Sequence, residues 1–244
     1  MASSAYSRSN DCLGDTLDAT VADACNWPDR YREEDPDSGW STPLHYVNVD
    51  PGADRYLRGR DCPDGNCLPA ALVHYAGELQ RQDRSAESRW RAFAFLCHFT
   101  GDVHQPLHVG YADDRGGNDI ELRLGDETVN LHELWDRVLV DRLAGSREEL
   151  LERLRARSGA AVPAGWTPGD VTAWVNESLT FTRYFAYPRS HEVDDAFMKR
   201  SEGVVLDRLD RAAVRLAAVL DRAAARLAAV LEAVLANRDA SGTD

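Results

Sequence analysis

Two His-x-x-x-Asp pairs are the residues of this chain best suited to chemistry. His98 and Asp102 are four residues apart, and His132 and Asp136 have the same spacing. In an α-helix a four-residue step turns about 400° and rises about 6 Å, so each pair shares one helix face. An imidazole and a carboxylate at that separation can bind one divalent cation. The spacing therefore predicts two helices, each presenting a metal-binding pair to a common cleft.

Additional histidines lie beside the first pair. Three of the chain's seven His fall within the eleven residues 98–108, among them His104 and His108. Pro106 should bend or end the helix near Gln105 and so redirect His108. One His-x-x-x-Asp pair is more often a simple hydrogen bond, but two pairs with extra imidazoles favour a metal. Nitrogen and oxygen ligands without a cysteine cluster are typical of a catalytic zinc site with open positions.

Three longer motifs resemble those of the S1/P1 nuclease family. They are His-Phe-Thr-Gly-Asp-Val-His-Gln-Pro-Leu-His at 98–108, Gly-Gly-Asn at 116–118 and Asn-Leu-His-Glu-Leu-Trp-Asp at 130–136. The resemblance runs from about Leu13 to about Leu220. It implies a mainly α-helical, zinc-dependent phospholipase C/P1 nuclease-like fold with one short β-hairpin. It also implies hydrolysis of phosphodiester bonds in single-stranded DNA and RNA, and in many members removal of 3′-phosphates from nucleotides.

Two upstream segments extend the resemblance and the implied site. Residues 25–32 resemble a Trp-Ala-Asp-x-x-Arg block, although without the other motifs a surface Asp/Arg run would be the preferred interpretation. Residues 44–48 match Leu-His-Tyr-Val-Asn. The resemblance makes Asp29 a zinc ligand that can accept or orient a proton, and Arg32 a cation near the scissile phosphate. Tyr46 could stack on a nucleobase and Asn48 could bond its edge, with ordinary packing an equal alternative. The implied first zinc site is Asp29, His45, His98 and Asp102, and the second is His108, His132 and Asp136.

The start of the chain departs from the family pattern. In the family a third zinc shares the carboxylate equivalent to Asp102 and takes its other ligands from an N-terminal Trp and a following His. Here the first Trp is Trp27 and the first His is His45. The chain is therefore expected to be an N-terminally truncated member with two of three zinc sites complete. Residues 1–10 are polar and Ser-rich, which predicts a disordered tail and not a signal peptide.

Composition and charge limit the expected partners. The chain has 244 residues, is 43% hydrophobic and 28% charged, as in soluble globular proteins, and has no apolar run long enough to span a membrane. A net charge of −13 argues against broad electrostatic adhesion to nucleic acid. Bound zinc would still place positive charge where phosphate binds. Single-stranded nucleic acid or nucleotides are the expected substrates, without a membrane partner.

The five cysteines suggest an oxidising compartment. The resemblance assigns a short disulfide to Cys62 and Cys67, and family members are usually secreted or periplasmic. Cys12, Cys25 and Cys97 then remain. Their odd number leaves at least one free thiol, and a buried Cys97 is the expected candidate.

The elements that position the site are mostly helices. Helices are expected over Leu17–Tyr31, Leu68–Gln82, Glu87–Gln105, Val138–Arg157 and Asp170–Tyr187. The only convincing strand signal is a hairpin of Ile120–Leu124 and Glu127–Val129. His74 is expected to be structural or exposed, His104 to lie behind the ligands or at the surface, and Trp135 to pack beneath the site. The block Asn176-Glu177-Ser178 is expected to support packing.

An eleven-residue repeat ends the chain. Its copies begin at Asp210 and Asp221, and this period is close to three helical turns. The expected domains are a tail at 1–10, a nuclease-like domain at 11–220 and a helical extension at 221–244, with the helix ending near Ala236-Asn237. A monomer is expected, with a dimer through this helix as the alternative.

Two other functions remain open. One is a zinc phospholipase C-like phosphodiesterase acting on lipid headgroups, against which the lack of an apolar or basic membrane-binding stretch weighs. The other is an inactive zinc-binding remnant that lacks the N-terminal metal ligands. Nuclease and lipase assays on one preparation would distinguish the phospholipase C-like enzyme from a nuclease. Restoring an upstream Trp-x-x-x-x-His segment should raise activity greatly if the missing ligands matter.

Overall fold

A computed structural model describes residues 17–157 and 168–240, and within them the protein is mainly helical. The α-helices are α1 (Leu17–Glu34), α2 (Arg58–Asp61), α3 (Leu68–Leu79), α4 (Ala86–Asp102), α5 (Leu131–Glu133), α6 (Leu139–Ala144), α7 (Arg147–Arg157), α8 (Pro168–Phe181) and α9 (Asp195–Ala240). The strands are β1 (Val47–Asn48), β2 (Val109–Gly110), β3 (Glu121–Leu124) and β4 (Glu127–Asn130). The predicted fold class is confirmed.

Helix α4 is the central element of the site. Its N-terminus is capped by the Ser85 hydroxyl, which accepts a hydrogen bond from the Ser88 amide. Its apolar face, including Phe95 and Phe99, is buried against α3, and α1 packs beside it. The helix ends at Asp102, slightly before the predicted boundary. The residue preceding Pro106 is extended, as a proline requires, and a 3-10 turn (Pro106–His108) follows.

Two apolar clusters meet at this turn. One contains Phe95, Phe99 and Val103, and the other contains Leu107 and Trp135. The indole N–H of Trp135 donates to the Ala186 carbonyl at 3.0 Å, so its ring is fixed under the second motif. The segment between Asp102 and His108 therefore runs along the boundary between the two clusters.

The short strands join segments that carry candidate ligands. Strands β1 and β2 pair in parallel, with Val47 opposite Val109. Strand β1 begins two residues after His45, and β2 begins directly after His108. The predicted hairpin is confirmed: β3 and β4 are antiparallel, with Leu122 opposite Val129. The parallel pair was not predicted, because two residues give no periodic signal.

Several helix boundaries differ from the prediction. The single helix expected over Val138–Arg157 is interrupted at Gly145, whose φ of +49° lies in the left-handed region. A π-helical turn (Leu134–Val138) leads into α6, and a second one (Thr182–Ala186) continues α8. Helix α9 runs through both repeat copies to Ala240. The tail predicted at residues 1–10 lies outside the described residues.

The disulfides correct one cysteine assignment. Cys62 and Cys67 are bonded, as predicted. Cys97 is not a free thiol, because it is bonded to Cys25. The packing of α1 on α4 brings their Cα atoms to 5.2 Å, which the count of cysteines could not reveal. Cys12 lies outside the described residues. Among the helices that the structure describes, none has the length and apolar character needed to cross a membrane.

Candidate metal centre

Three side chains from separate segments form what we call the first donor group. They are Asp29 on α1, His45 at the end of a 3-10 segment (Ser38–His45), and His98 on α4. Their ligand atoms all lie within 4.8 Å of one another. His45 Nδ1 is 3.1 Å from His98 Nε2 and 3.6 Å from an Asp29 carboxylate oxygen. Such spacing can hold one cation.

The second donor group consists of His108, His132 and Asp136, with the same 4.8 Å limit between ligand atoms. The His108 and His132 rings stack with their centroids 5.0 Å apart. One Asp136 oxygen lies 3.5 Å from His108 Nε2 and the other lies 3.2 Å from His132 Nε2. Burial alone would raise the Asp136 pKa, but the two imidazoles hold it well below its usual value.

Asp102 connects the two donor groups. Its Oδ2 is 3.1 Å from His45 Nδ1 and 3.3 Å from His98 Nε2, while its Oδ1 is 3.4 Å from His108 Nδ1. Burial would raise the pKa of this carboxyl, but the surrounding imidazoles lower it, first His98 and then His108. Asp102 is therefore an ionised carboxylate with one oxygen toward each group.

Backbone carbonyls orient three of the imidazoles. Nδ1 of His98 donates to the Cys25 carbonyl at 2.9 Å. Nδ1 of His108 donates to the His45 carbonyl at 2.7 Å, and Nδ1 of His132 donates to the Gly116 carbonyl at 2.8 Å. Because a carbonyl can only accept, each Nδ1 carries a proton, and Nε2 is the ring nitrogen that each of these imidazoles can offer to a cation in the centre. His45 is the reverse, with Nδ1 toward the centre and a buried Nε2 that has no hydrogen-bond partner among residues 17–157 and 168–240.

The Gly-Gly-Asn motif has a steric role here. A Cβ on Gly116 would lie 2.8 Å from the Leu107 carbonyl oxygen, and the residue has a φ of +62°. Only glycine fits without strain, so the chain can bring the Gly116 carbonyl to His132.

Gln105 is a residue of this centre for which the sequence predicted no functional role. Its side-chain amide donates to Asp136 Oδ1 at 2.7 Å, and its side-chain carbonyl accepts from the Leu107 amide. Gln105 thus connects the turn that carries His108 to the carboxylate of the second donor group. Its place inside the 98–108 motif was the one available signal.

The other candidate residues lie around this centre. Arg32 pairs with Asp29 at 3.0 Å, and their side chains are 35% and 45% exposed, so this side of the centre is open. Tyr46 is 39% exposed and Asn48 is half-buried in β1, and neither belongs to a donor group. His104 is buried behind the centre, where its Nδ1 donates to the Thr100 carbonyl at 2.7 Å. His74 is exposed, as expected.

Comparisons with known proteins concern the sequence of the chain. A sequence model of the S1/P1 nuclease family matches residues 1–225. Endonuclease 2 of Arabidopsis thaliana is 31% identical over 234 residues, covering 85% of this chain and 79% of the relative. Nuclease S1 of Aspergillus oryzae is 27% identical over 246 residues, covering 90% and 85%. Nuclease P1 of Penicillium citrinum is 29% identical over 171 residues, covering 65% and 62%. The chain therefore belongs to the S1/P1 nuclease family.

Proposed function

We propose that this chain is a zinc-dependent endonuclease that hydrolyses phosphodiester bonds of single-stranded DNA and RNA and also removes 3′-phosphates from nucleotides. One observation carries the proposal. Seven imidazole and carboxylate side chains converge on one open centre: Asp29, His45, His98, Asp102, His108, His132 and Asp136. Relatives named as nucleases support the reaction class.

The donor set fits zinc on chemical grounds. Imidazole nitrogens lie 3.1 to 3.5 Å from one another and from carboxylate oxygens, so a cation bound among them would take nitrogen and oxygen ligands together. Imidazole nitrogen with carboxylate oxygen suits zinc, and the hard all-oxygen sites of magnesium and calcium do not resemble it. The seven residues would hold one ion in each donor group, with Asp102 facing both.

The catalytic roles follow from the exposed side of the centre. Zinc bound there would supply Lewis-acid chemistry, polarising the phosphate and favouring deprotonation of the attacking water. Asp29 is positioned to accept or orient that proton. The Arg32 guanidinium, 3.0 Å from Asp29, can contact phosphate oxygens as charge develops on them. Tyr46 and Asn48, which follow His45, would stack on an unpaired base and bond its edge.

A single strand suits this centre better than a duplex. The net charge of −13 argues against the broad electrostatic adhesion that normally holds duplex DNA. An unpaired base can reach an exposed tyrosine directly. Two disulfides fit an oxidising compartment, and we infer a secreted or periplasmic monomer.

Zinc content and nuclease activity of one preparation test the proposal. Metal-replete protein should contain two zinc ions per chain from the donor groups described, cleave single-stranded DNA, and lose and regain cleavage with chelation and added zinc. Asp102→Asn should lower cleavage more than about 100-fold, because even residues that only orient ligands contribute 10- to 100-fold. Asp83→Asn, an exposed carboxylate paired with Arg81, is the control and should cleave normally.

Three results would count against the proposal. Cleavage that resists chelation would exclude a zinc mechanism. Zinc-free protein after metal loading would exclude the seven residues as ligands. Hydrolysis of phosphatidylcholine without DNA cleavage would instead support a phospholipase C-like enzyme.

A further inference from the structure

We infer that Arg208 is a positioning residue for the metal centre, because it fixes the turn that joins Asp102 to His108. The inference rests on the proposed metal-binding role of those two residues. Arg208 lies on α9, far from the centre in sequence, and its guanidinium contacts the turn itself. The turn in question comprises residues 103–109, from the end of α4 to the first residue of β2.

The carbonyl groups of this turn are held by side chains. Helix α4 has ended, so its regular hydrogen-bond pattern no longer supplies partners along the turn, although the Pro106 carbonyl accepts from the Val109 amide within the 3-10 segment. The donors come from α8, the π-helical turn after it, and α9. The Ser178 hydroxyl donates to the Val103 carbonyl, and Arg208 Nε donates to the His104 carbonyl at 3.1 Å. The Thr182 hydroxyl faces the carbonyls of Pro106 and Val109. The turn is therefore held along its length by side chains of α8, the π-helical turn and α9.

Arg208 is the charged member of this set and is itself buried. It is only 3% exposed, and it forms a close ion pair with Glu177. Its second terminal nitrogen lies 3.0 Å from the Ser178 hydroxyl, and its guanidinium lies over the Phe181 ring at 4.9 Å. The planar fork thus contacts the turn, α8 and the carboxylate at the same time, which a lysine could not do.

A second arginine holds the other side of the same turn. Arg215 donates to His104 Nε2 at 2.7 Å and to Glu177 at 2.8 Å. Glu177 therefore holds Arg208 and Arg215 together, and both contact His104. A stabilising role alone accounts poorly for this arrangement, since a buried ion pair is often no more stabilising than apolar packing. Its distinctive property is the fixed geometry that it gives to the backbone.

That geometry matters because the turn joins both donor groups. Asp102 precedes it and faces the first donor group, while His108 lies within it and belongs to the second. Asp29 and His132 are carried by other segments. A shift of the turn would move Asp102 and His108 relative to those ligands, and metal sites depend on distances held within a few tenths of an ångström. Loss of Arg208 should therefore weaken zinc binding by both groups.

Arg208→Met and a matched control test this inference. Arg211 lies on the same helix, is 46% exposed, and pairs with Glu177 and Asp207 instead of the turn. We expect Arg208→Met to weaken both zinc affinities roughly 10- to 100-fold, in line with other groups that orient ligands. Arg211→Met should stay within about twofold of the unmodified chain. Affinities are measured by competition with a chromophoric chelator on protein shown to be folded by circular dichroism.

Cobalt(II) substitution adds a readout that a purely structural role would not change. The visible spectrum of bound cobalt depends on ligand geometry, so Arg208→Met should alter it and Arg211→Met should not. If Arg208→Met does not fold, Arg208→Lys and Thr182→Val apply the same test. The first keeps the charge without the fork, and the second removes only the hydroxyl that faces Pro106 and Val109.

The outcomes separate this inference from the proposed function. If the unmodified chain binds zinc and the Arg208 variants bind it equally well with the same cobalt spectrum, Arg208 is not a positioning residue and the proposed function stands. If Arg208→Met only unfolds more readily but keeps its zinc affinity when folded, the inference is also overturned. If the unmodified chain binds no zinc, both fail.

Discussion

Replacing Cys25 and Cys97 together by alanine should lower the free energy of unfolding of the metal-free protein by about 4 kcal/mol. The disulfide closes a loop with a sequence separation of 72, and the loop-closure entropy for that length gives about 4 kcal/mol at 25 °C. The disulfide of Cys62 and Cys67 spans a separation of only 5, and the same relation gives about 2 kcal/mol. The two pairs therefore make a matched comparison.

The longer disulfide should also affect metal binding. It ties α1, which carries Asp29, to α4, which carries His98 beside Cys97. The Cys25 carbonyl accepts the Nδ1–H bond of His98 at 2.9 Å, so separation of the helices would release this imidazole. We expect the Cys25/Cys97 double variant to bind zinc at the first donor group about tenfold or more weakly. The Cys62/Cys67 variant should bind zinc normally, since neither cysteine contacts a donor group.

Urea unfolding in a chelator gives the two stabilities, and zinc competition gives the affinities. The chelator is needed because zinc bound to the folded state would add its own stabilisation. Equal losses of stability from the two double variants would refute the loop-length argument. Unchanged zinc affinity after removal of the longer disulfide would show that packing alone holds α1 against α4.

Three further predictions concern single side chains. Gln105→Ala should weaken zinc binding at the second donor group roughly 10- to 100-fold in competition assays, because Asp136 loses its amide donor. Unchanged zinc affinity would show that this contact is dispensable. Burial would lower the pKa of His108, but two neighbouring carboxylates raise it to about 9. Zinc must then displace a proton below that pH, and its affinity at this group should fall about tenfold per pH unit, which zinc titrations at pH 6, 7 and 8 would detect. Burial and two nearby arginines lower the pKa of His104 to about 3 in the folded protein, below the unfolded value of about 6.5. The contribution of neutral His104 to the free energy of unfolding is therefore complete above pH 6.5 and is lost as the pH falls. About 2 kcal/mol should be lost by pH 5 in denaturant titrations, and His104→Gln should remove that part of the pH dependence.

The sequence was informative wherever the signal was local. The four-residue spacing of His98 and Asp102 reports a helix face directly, and alternation over Ile120–Leu124 reports a strand. The convergence of the seven donors depended on the motif resemblance, because residues from Asp29 to Asp136 meet only through the tertiary fold. Their roles as ligands stay predictions until zinc is measured.

The features that the sequence did not yield all join distant segments. Cys97 was assigned as a free thiol because parity shows that one cysteine is unpaired but not which one, and only helix packing places it on Cys25. Gln105 and Arg208 carry no periodic signal, and their partners lie 31 and 104 residues away. The break at Gly145 was missed because one glycine inside an amphipathic pattern does not by itself require a helix to end.

The carbonyls that orient His98, His108 and His132 have a consequence for how this site tolerates change. In many zinc proteins the orienting group is a carboxylate side chain, and one substitution removes it. Here the orienting atoms belong to the main chain, so the direction of these imidazoles depends on the path of the backbone and not on a further orienting side chain, and at position 116 that path itself needs glycine. Drift in the surrounding sequence can therefore leave the direction of these imidazoles unchanged.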